Sequence, residues 1–169
     1  MNDTLYEHFG GDPQRRIMAV FSSIFIMQNR LQTAGEKIQT QISMKQWLLM
    51  AMTASCPEPR TLTSVGELMG CSRQNVKKLA AALERNGYVR LSRGDGNSVC
   101  IELTEKAGEY AAEMADRHGE TLRLLFFDFS EDELEQLYRL YAKLYNGVDR
   151  VEKYAKELED HGKIESEEE

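Results

Sequence analysis

The chain has 169 residues, 41% hydrophobic and 29% charged, with 3 Pro. That is long enough for one domain with a real core, or for a small domain with dimerising arms, and the balance fits a soluble, largely helical protein. A net charge of −7 argues against a uniformly basic nucleic-acid binder, and three widely spaced Cys exclude a disulfide framework and suit a reducing cytoplasm.

Residues 1–11 read as loosely held. Asp12 caps and Pro13 occupies the first position of a first helix, on which Ile17, Val20, Phe21, Ile24 and Leu31 recur at helical spacing; Gly35 is expected to end it. The uncharged run from Ile17 to Asn29 is too short to span a bilayer. It follows Asp3, Glu7 and Asp12 and lacks a cleavage site, so neither a signal peptide nor a membrane partner is expected. Ser43 and Gln46 form a capping box for a second helix with an inner side of Met44, Trp47, Leu48 and Ala51. Pro57 and Pro59 stop it, and Arg60-Thr61-Leu62 reads as a short strand.

The next stretch is the most informative. Ser64 and Glu67 read as a capping box for a short helix with Val65, Leu68 and Met69 on its apolar side and Gly70 opening a turn. Ser72 then caps a fourth helix that Gly87 ends. Val76, Leu79, Ala80 and Leu83 form its buried stripe. The other side carries Arg73, Gln74, Lys77 and Lys78, with Asn75 near the edge. Arg pairs with guanine, Gln or Asn with adenine, and Lys with phosphate, so this face suits a DNA major groove. Two short helices joined by a Gly-containing turn make a helix-turn-helix. Two alternating segments follow, Tyr88–Arg93 and Val99–Leu103, around the tip Gly94-Asp95-Gly96-Asn97-Ser98, which makes a β-hairpin. Helix, turn, helix, hairpin is the order of a winged helix.

The run from Leu62 to Thr104 resembles the winged helix of the MarR family of bacterial transcriptional regulators. The likeness rests on Thr63…Glu67-Leu68, Ser72…Val76…Leu79…Leu83-Glu84…Gly87-Tyr88-Val89 and Leu103-Thr104, and the helical layout extends it to about residues 12–160. It implies a homodimeric DNA-binding regulator, typically a repressor relieved by a small phenolic or drug-like effector. Members often carry Asp-x-Arg at the wing tip; here the positions read Asp95-Gly96-Asn97, so the Arg is missing. Arg90 and Arg93 stand nearby as substitutes.

Beyond the wing, Thr104 is expected to cap a long helix with Ala107, Ala111, Met114, His118, Leu122 and Leu125 on one side. Ser130 and Glu133 form another capping box. The last helix then places Leu134, Leu137, Tyr141, Leu144, Val148, Val151, Ala155 and Leu158 in steps of three and four, an a/d seam that calls for a partner, most economically a second copy. The fold class is thus mainly α (α+β): N-terminal helices over 12–54, a winged helix-turn-helix over 60–104, dimerisation helices over 105–160 and an acidic, disordered tail over 161–169. Charge follows this division. Residues 61–104 hold six Lys/Arg against four acids, whereas residues 105–169 hold nine against 19. Local potential, not total charge, decides where phosphate binds.

The expected DNA contacts are Ser72, Arg73, Gln74, Asn75, Lys77, Lys78, Arg90, Arg93 and Asn97, on a palindromic double-stranded operator. Arg73, Gln74 and Asn75 are the base-reading candidates. A methionine- and aromatic-rich cleft around Phe21, Phe25, Met44 and Trp47 is the expected place for an apolar or aromatic effector. No nucleophile elbow, phosphate loop or triad is present, so no enzyme is expected. His8, His118 and His161 have no ligand spacing, so neither metal nor cofactor is expected. Two alternatives stand beside this reading: a protein-interaction module without useful DNA affinity, and a regulator that senses oxidants through Cys71 or Cys100. Cys71 reads as a small buried turn residue, and alternation turns Cys100 outward on the second wing strand.

Overall fold

The computed structural model describes residues 12–167, with side chains through Asp160. The expectations for residues 1–11 and for the last two residues lie outside this range. Among the described residues, six helices and one two-stranded sheet follow in the order α1 (Pro13–Ile38), α2 (Met44–Ser55), α3 (Leu62–Met69), α4 (Arg73–Arg85), β1 (Val89–Arg93), β2 (Val99–Leu103), α5 (Glu105–Leu125) and α6 (Glu131–Glu167). The chain divides into two compact units, one through Gly119 and one from Glu120 onward.

In the first unit, Asp12 caps α1 by accepting from the Gln14 amide, with Pro13 just inside the helix. The helix does not end at Gly35. It runs on to Ile38, and Gly35 is buried within it. A Cβ at Gly35 would lie 2.6 Å from Met44 Sδ, so this glycine is a contact point for α2 and not a terminator. The Ser43–Gln46 capping box is formed in both directions. The inner side of α2, however, is Leu49, Met50 and Thr53. Met44, Trp47, Leu48 and Ala51 are only half-buried. This helix is apolar nearly all round, so periodicity alone does not mark the face that packs.

Helix α3 starts three residues earlier than its sequence signals indicate. Thr61 is the cap, its hydroxyl accepts from the Ser64 amide, and the Ser64 hydroxyl accepts from the Thr61 amide. Glu67 takes no part, and Leu68 is half exposed. Leu62, Val65 and Gly66 form the buried side. The expected strand at Arg60–Leu62 reduces to one bridge from Thr61 to Cys100, with the Ile101 amide donating to the Arg60 carbonyl (2.8 Å). Leu62 is already helical.

Helix α4 matches its sequence signals closely. Ser72 Oγ accepts from the Asn75 amide, and Val76, Ala80 and Leu83 are fully buried. Gly87 follows the last turn at φ +79°, where the Gly87 amide donates to Glu84 O and the Tyr88 amide to Leu83 O. That pair of bonds is a Schellman closure, which needs a left-handed residue at Gly87. Strands β1 and β2 pair antiparallel, Val89 opposite Leu103 and Arg93 opposite Val99. The Glu84 carboxylate accepts from the Leu91 amide (2.8 Å) and so ties the middle of β1 to α4.

Thr104 does not cap α5 with its side chain. Its hydroxyl instead donates to the carbonyls of Gly87 and Tyr88, closing the wing base against the end of α4. On α5 the buried residues are Ala107, Tyr110 and Met114. Ala111 is exposed, and Tyr110 belongs to the core, a position that its polar ring hid in the sequence.

In the second unit, Ser130 and Glu133 form the expected capping exchange at the start of α6. The helix continues through Glu167, past residue 160 where the ordered chain was expected to end. Leu122 and Leu125 are exposed, as are Tyr141, Leu144, Val148, Val151 and Leu158 of the seam.

Candidate nucleic-acid interface

Helix α4 is presented outward by the elements beneath it. Its apolar stripe packs on α2 and α3, β1 continues from its C-terminal end, and the core joins Leu49, Leu62, Val65, Val76, Ala80, Leu83, Val89 and Ile101. Gly66 permits the close crossing of α3 and α4. A Cβ there would meet the Cys71 carbonyl oxygen at 2.8 Å and Val76 Cγ2 at 3.3 Å.

The opposite face of α4 carries Arg73, Gln74, Asn75, Lys77 and Lys78, all exposed, with Ser72 at its head. Among the described residues neither Lys77 nor Lys78 is in an ion pair. Arg73 is engaged: its Nη2 donates to the carbonyl oxygen of Asn97 at the wing tip, at 3.2 Å.

The two wing arginines differ. Arg90 is held across the sheet by the Glu102 carboxylate, its Nε donating at 3.1 Å and its Nη2 forming a second, shorter contact. Ser92 Oγ donates to the other oxygen of the same carboxylate (2.8 Å). Hydrogen bonds from Arg90 and Ser92 hold Glu102 below the usual carboxylate range, and the same pair raises Arg90 further. The Arg90 guanidinium is thus engaged by a carboxylate on the exposed side of the wing. Arg93 is exposed and has no such partner among the described residues. Cross-strand pairing of position 90 with 102 caused this, and the sequence showed it only once the hairpin register was fixed.

A second cluster lies beneath α1 and α2. Tyr110 donates through its hydroxyl to Gln39 Oε1 (2.6 Å), leaving Gln39 Nε2 to donate to His118 Nε2 (3.1 Å). His118 stacks edge-on with Trp47, ring centroids 5.2 Å apart, and Gln39 Nε2 lies 4.0 Å from Met44 Sδ. The neighbouring Tyr88 packs edge-on against Tyr110 and donates to Gln41. Met44 and Trp47 therefore meet around Gln39 and His118. Phe21 and Phe25 stack on each other but lie more than half exposed on α1. At a rise of about 1.5 Å per residue they stand roughly 15 Å or more along the helix from Gly35, where Met44 packs. Within one chain the four expected effector residues therefore do not gather into one site. The sequence placed His118 on the apolar side of its helix but did not join it to Gln39 and Tyr110, because contacts between helices carry no periodic signal.

Cys71 and Cys100 are half-buried and Cys56 is buried. Cys100 is not turned freely outward: it is half-buried, with its Sγ packed beside Gly94. Among the described residues no group of three or more His, Cys, Asp or Glu gathers as a metal site, and no helix is long and apolar enough to cross a membrane.

A helix-turn-helix whose second helix is exposed beside a β-hairpin defines a winged helix-turn-helix protein. No family model matches the chain. It is 27% identical over 131 residues to the transcriptional repressor MprA of Escherichia coli K12, covering 75% of this chain and 74% of that protein. Its fold superposes on a MarR/EmrR family transcriptional regulator from Acinetobacter sp. ADP1 with a TM-score of 0.70 at 25% identity, covering 78% of this chain and 95% of that one. The MarR family regulator Sco3205 of Streptomyces coelicolor, solved in complex with DNA, matches in fold with a TM-score of 0.69 at 19% identity, covering 81% and 92%. MarR of Staphylococcus aureus, solved with salicylate and kanamycin, does so at 0.63 and 16% identity, covering 76% and 89%. The chain is thus similar in sequence to one transcriptional repressor and in fold to several MarR-family regulators.

Proposed function

We propose that the protein is a homodimeric, sequence-specific DNA-binding transcriptional regulator, a repressor relieved by a small-molecule effector, and not an enzyme. It acts in the cytoplasm, where its operator is. The observation that carries this reading is the outer face of α4, which offers amides at Gln74 and Asn75 and unpaired cations at Lys77 and Lys78, on a helix whose other side is locked in the core. Gln74 and Asn75 have the donor–acceptor pattern for adenine edges, and the lysines reach phosphate. Arg93 and Asn97 extend the contact along the wing, while Arg90 contributes little because Glu102 engages it. A two-fold dimer then requires a palindrome with half-site centres about 10 bp, or a small multiple, apart. The effector site is the cluster around Trp47, Met44, Gln39 and His118, which offers an apolar floor with a few convergent polar atoms.

Anisotropy binding to the DNA flanking the protein's own gene, at two salt concentrations, tests the reading. Preference over scrambled DNA should reach about 10³. Lys78→Ala should reduce affinity for all sequences and lower the salt slope by about one unit, whereas Arg90→Ala should leave the slope nearly unchanged. Equal, weak binding to every DNA in a selection from a random pool would leave the fold serving as a protein-interaction module.

A further inference from the structure

Helix α4 and the wing tip are far apart in sequence, yet one side chain joins them. The tip from Gly94 to Ser98 is an internally closed turn. The Gly94 amide donates to Ser98 O, and the Ser98 amide and hydroxyl both donate to Asp95 O, at 3.1, 3.1 and 2.7 Å. Gly96 supplies the left-handed residue at φ +62°. A Cβ at Gly94 would lie 2.5 Å from Ser98 Oγ and 2.8 Å from Cys100 Sγ, so the turn closes tightly on its own side chains. Such a tip moves as one body on the two strands behind it. Each strand has five residues, a lever of roughly 16 Å at about 3.3 Å per residue. The base of that lever is fixed by Thr104 to Gly87, and the middle of its first strand by Glu84 to Leu91. Its far end is held to α4 by Arg73 Nη2 donating to Asn97 O.

We propose that Arg73 is a positioning residue, docking the wing tip on the N-terminal end of the recognition helix through the Asn97 carbonyl, and not a base reader. A modest bond at the end of a lever restricts the hinge more than the same bond at its base. The guanidinium keeps its full charge while donating to a neutral carbonyl, so it remains a cation between helix and wing. Its direction is set by the wing, which takes the two-pronged edge needed for guanine away from the groove. Base discrimination then falls to Gln74 and Asn75, and the wing needs no arginine of its own at Asn97 to be held in place. This rests on the DNA-binding reading only for its consequence at the operator; the docking itself is a property of the free protein.

Two measurements decide it. The first is backbone amide relaxation of the ¹⁵N-labelled full chain without DNA, comparing Arg73→Ala with Gln74→Ala. The amides of Gly94, Gly96, Asn97 and Ser98 should gain fast motion in Arg73→Ala, while the α4 amides keep their shifts and Gln74→Ala leaves the tip unchanged. Unaltered tip amides in Arg73→Ala would overturn the docking, whatever the protein binds. The second is affinity for a set of single-base-pair operator variants. Arg73→Ala should weaken all of them by the same factor, about five- to tenfold, the scale of one hydrogen bond. Loss of preference at one base pair alone would restore Arg73 as a reader. If no DNA binds, the proposed function fails and the first measurement still decides the docking.

Discussion

His118 shows how one residue's chemistry depends on its neighbours. Because Gln39 Oε1 is taken by the Tyr110 hydroxyl, Gln39 must donate to His118, whose Nε2 is then an unprotonated acceptor. A proton on Nε2 would set two donors face to face. Burial pushes the His118 pKa below its ordinary value, which agrees with a neutral ring. A depressed folded-state value means that the unfolded chain binds a proton the fold resists. Stability should therefore be full above about pH 6.5 and fall as the pH drops from there towards the lower folded value. Urea titrations at pH 7.5 and 5.5 should show this loss in the native chain and a smaller one in His118→Gln, which does not titrate. An equal loss in both would remove His118 as its source. Glu102, Glu120 and Glu133 are also held low, by hydrogen bonds from Arg90, Arg123 and Ser130, but their contributions are lost at more acid pH, as it falls from the ordinary carboxylate range through their lowered values.

At the scale of elements, two glycines do what caps and stripes do not. Gly66 and Gly35 both lie inside helices, where glycine costs about 1 kcal/mol relative to alanine, so each occupies its place for another reason. At Gly66 that reason is the Cys71 carbonyl, backbone that cannot swing aside. At Gly35 it is the Met44 thioether, which is flexible. Overpacking costs roughly 1–3 kcal/mol, from which the helix gain is subtracted. Gly66→Ala should then destabilise by roughly 2 kcal/mol and displace α4, while Gly35→Ala should cost about 1 kcal/mol or less. Denaturant midpoints at constant slope check the order. Met44→Ala in the Gly35→Ala background should recover part of its loss, and Gly66→Ala has no comparable single rescue.

For the whole molecule, the decisive feature is apolar surface left open in one chain. On α6, Leu144 is 38%, Val148 46% and Val151 66% exposed, at the spacing of a coiled-coil seam. On α1, Ile17, Val20 and Phe21 are more than half exposed. An exposed apolar stripe of this kind, such as that on α6, marks an association face. Val148→Asp would bury an unpaired carboxylate in that face, a cost of several kcal/mol. Light scattering should show the dimer shifting to monomer at micromolar concentration, and operator affinity should drop with it, since two half-sites are then no longer read together. A Val148→Asp protein that stays dimeric would move the interface off this seam.

By itself the sequence determined the local features: the caps at Asp12, Ser43, Ser72 and Ser130, the Schellman glycine at Gly87, the hairpin strands, and the buried stripe of α4. These depend on groups a few residues apart, so spacing is sufficient to read them. Only the tertiary structure decided which face of the uniformly apolar α2 is inside, that Gly35 and Gly66 are crossing points, and that Thr104 serves the wing base. It also decided the side-chain partners: Arg90 is spent on Glu102, Arg73 reaches Asn97, and Gln39 joins Tyr110 to His118. Each joins residues from 12 to 79 positions apart. Such contacts follow from how elements cross, which no periodicity within one element records.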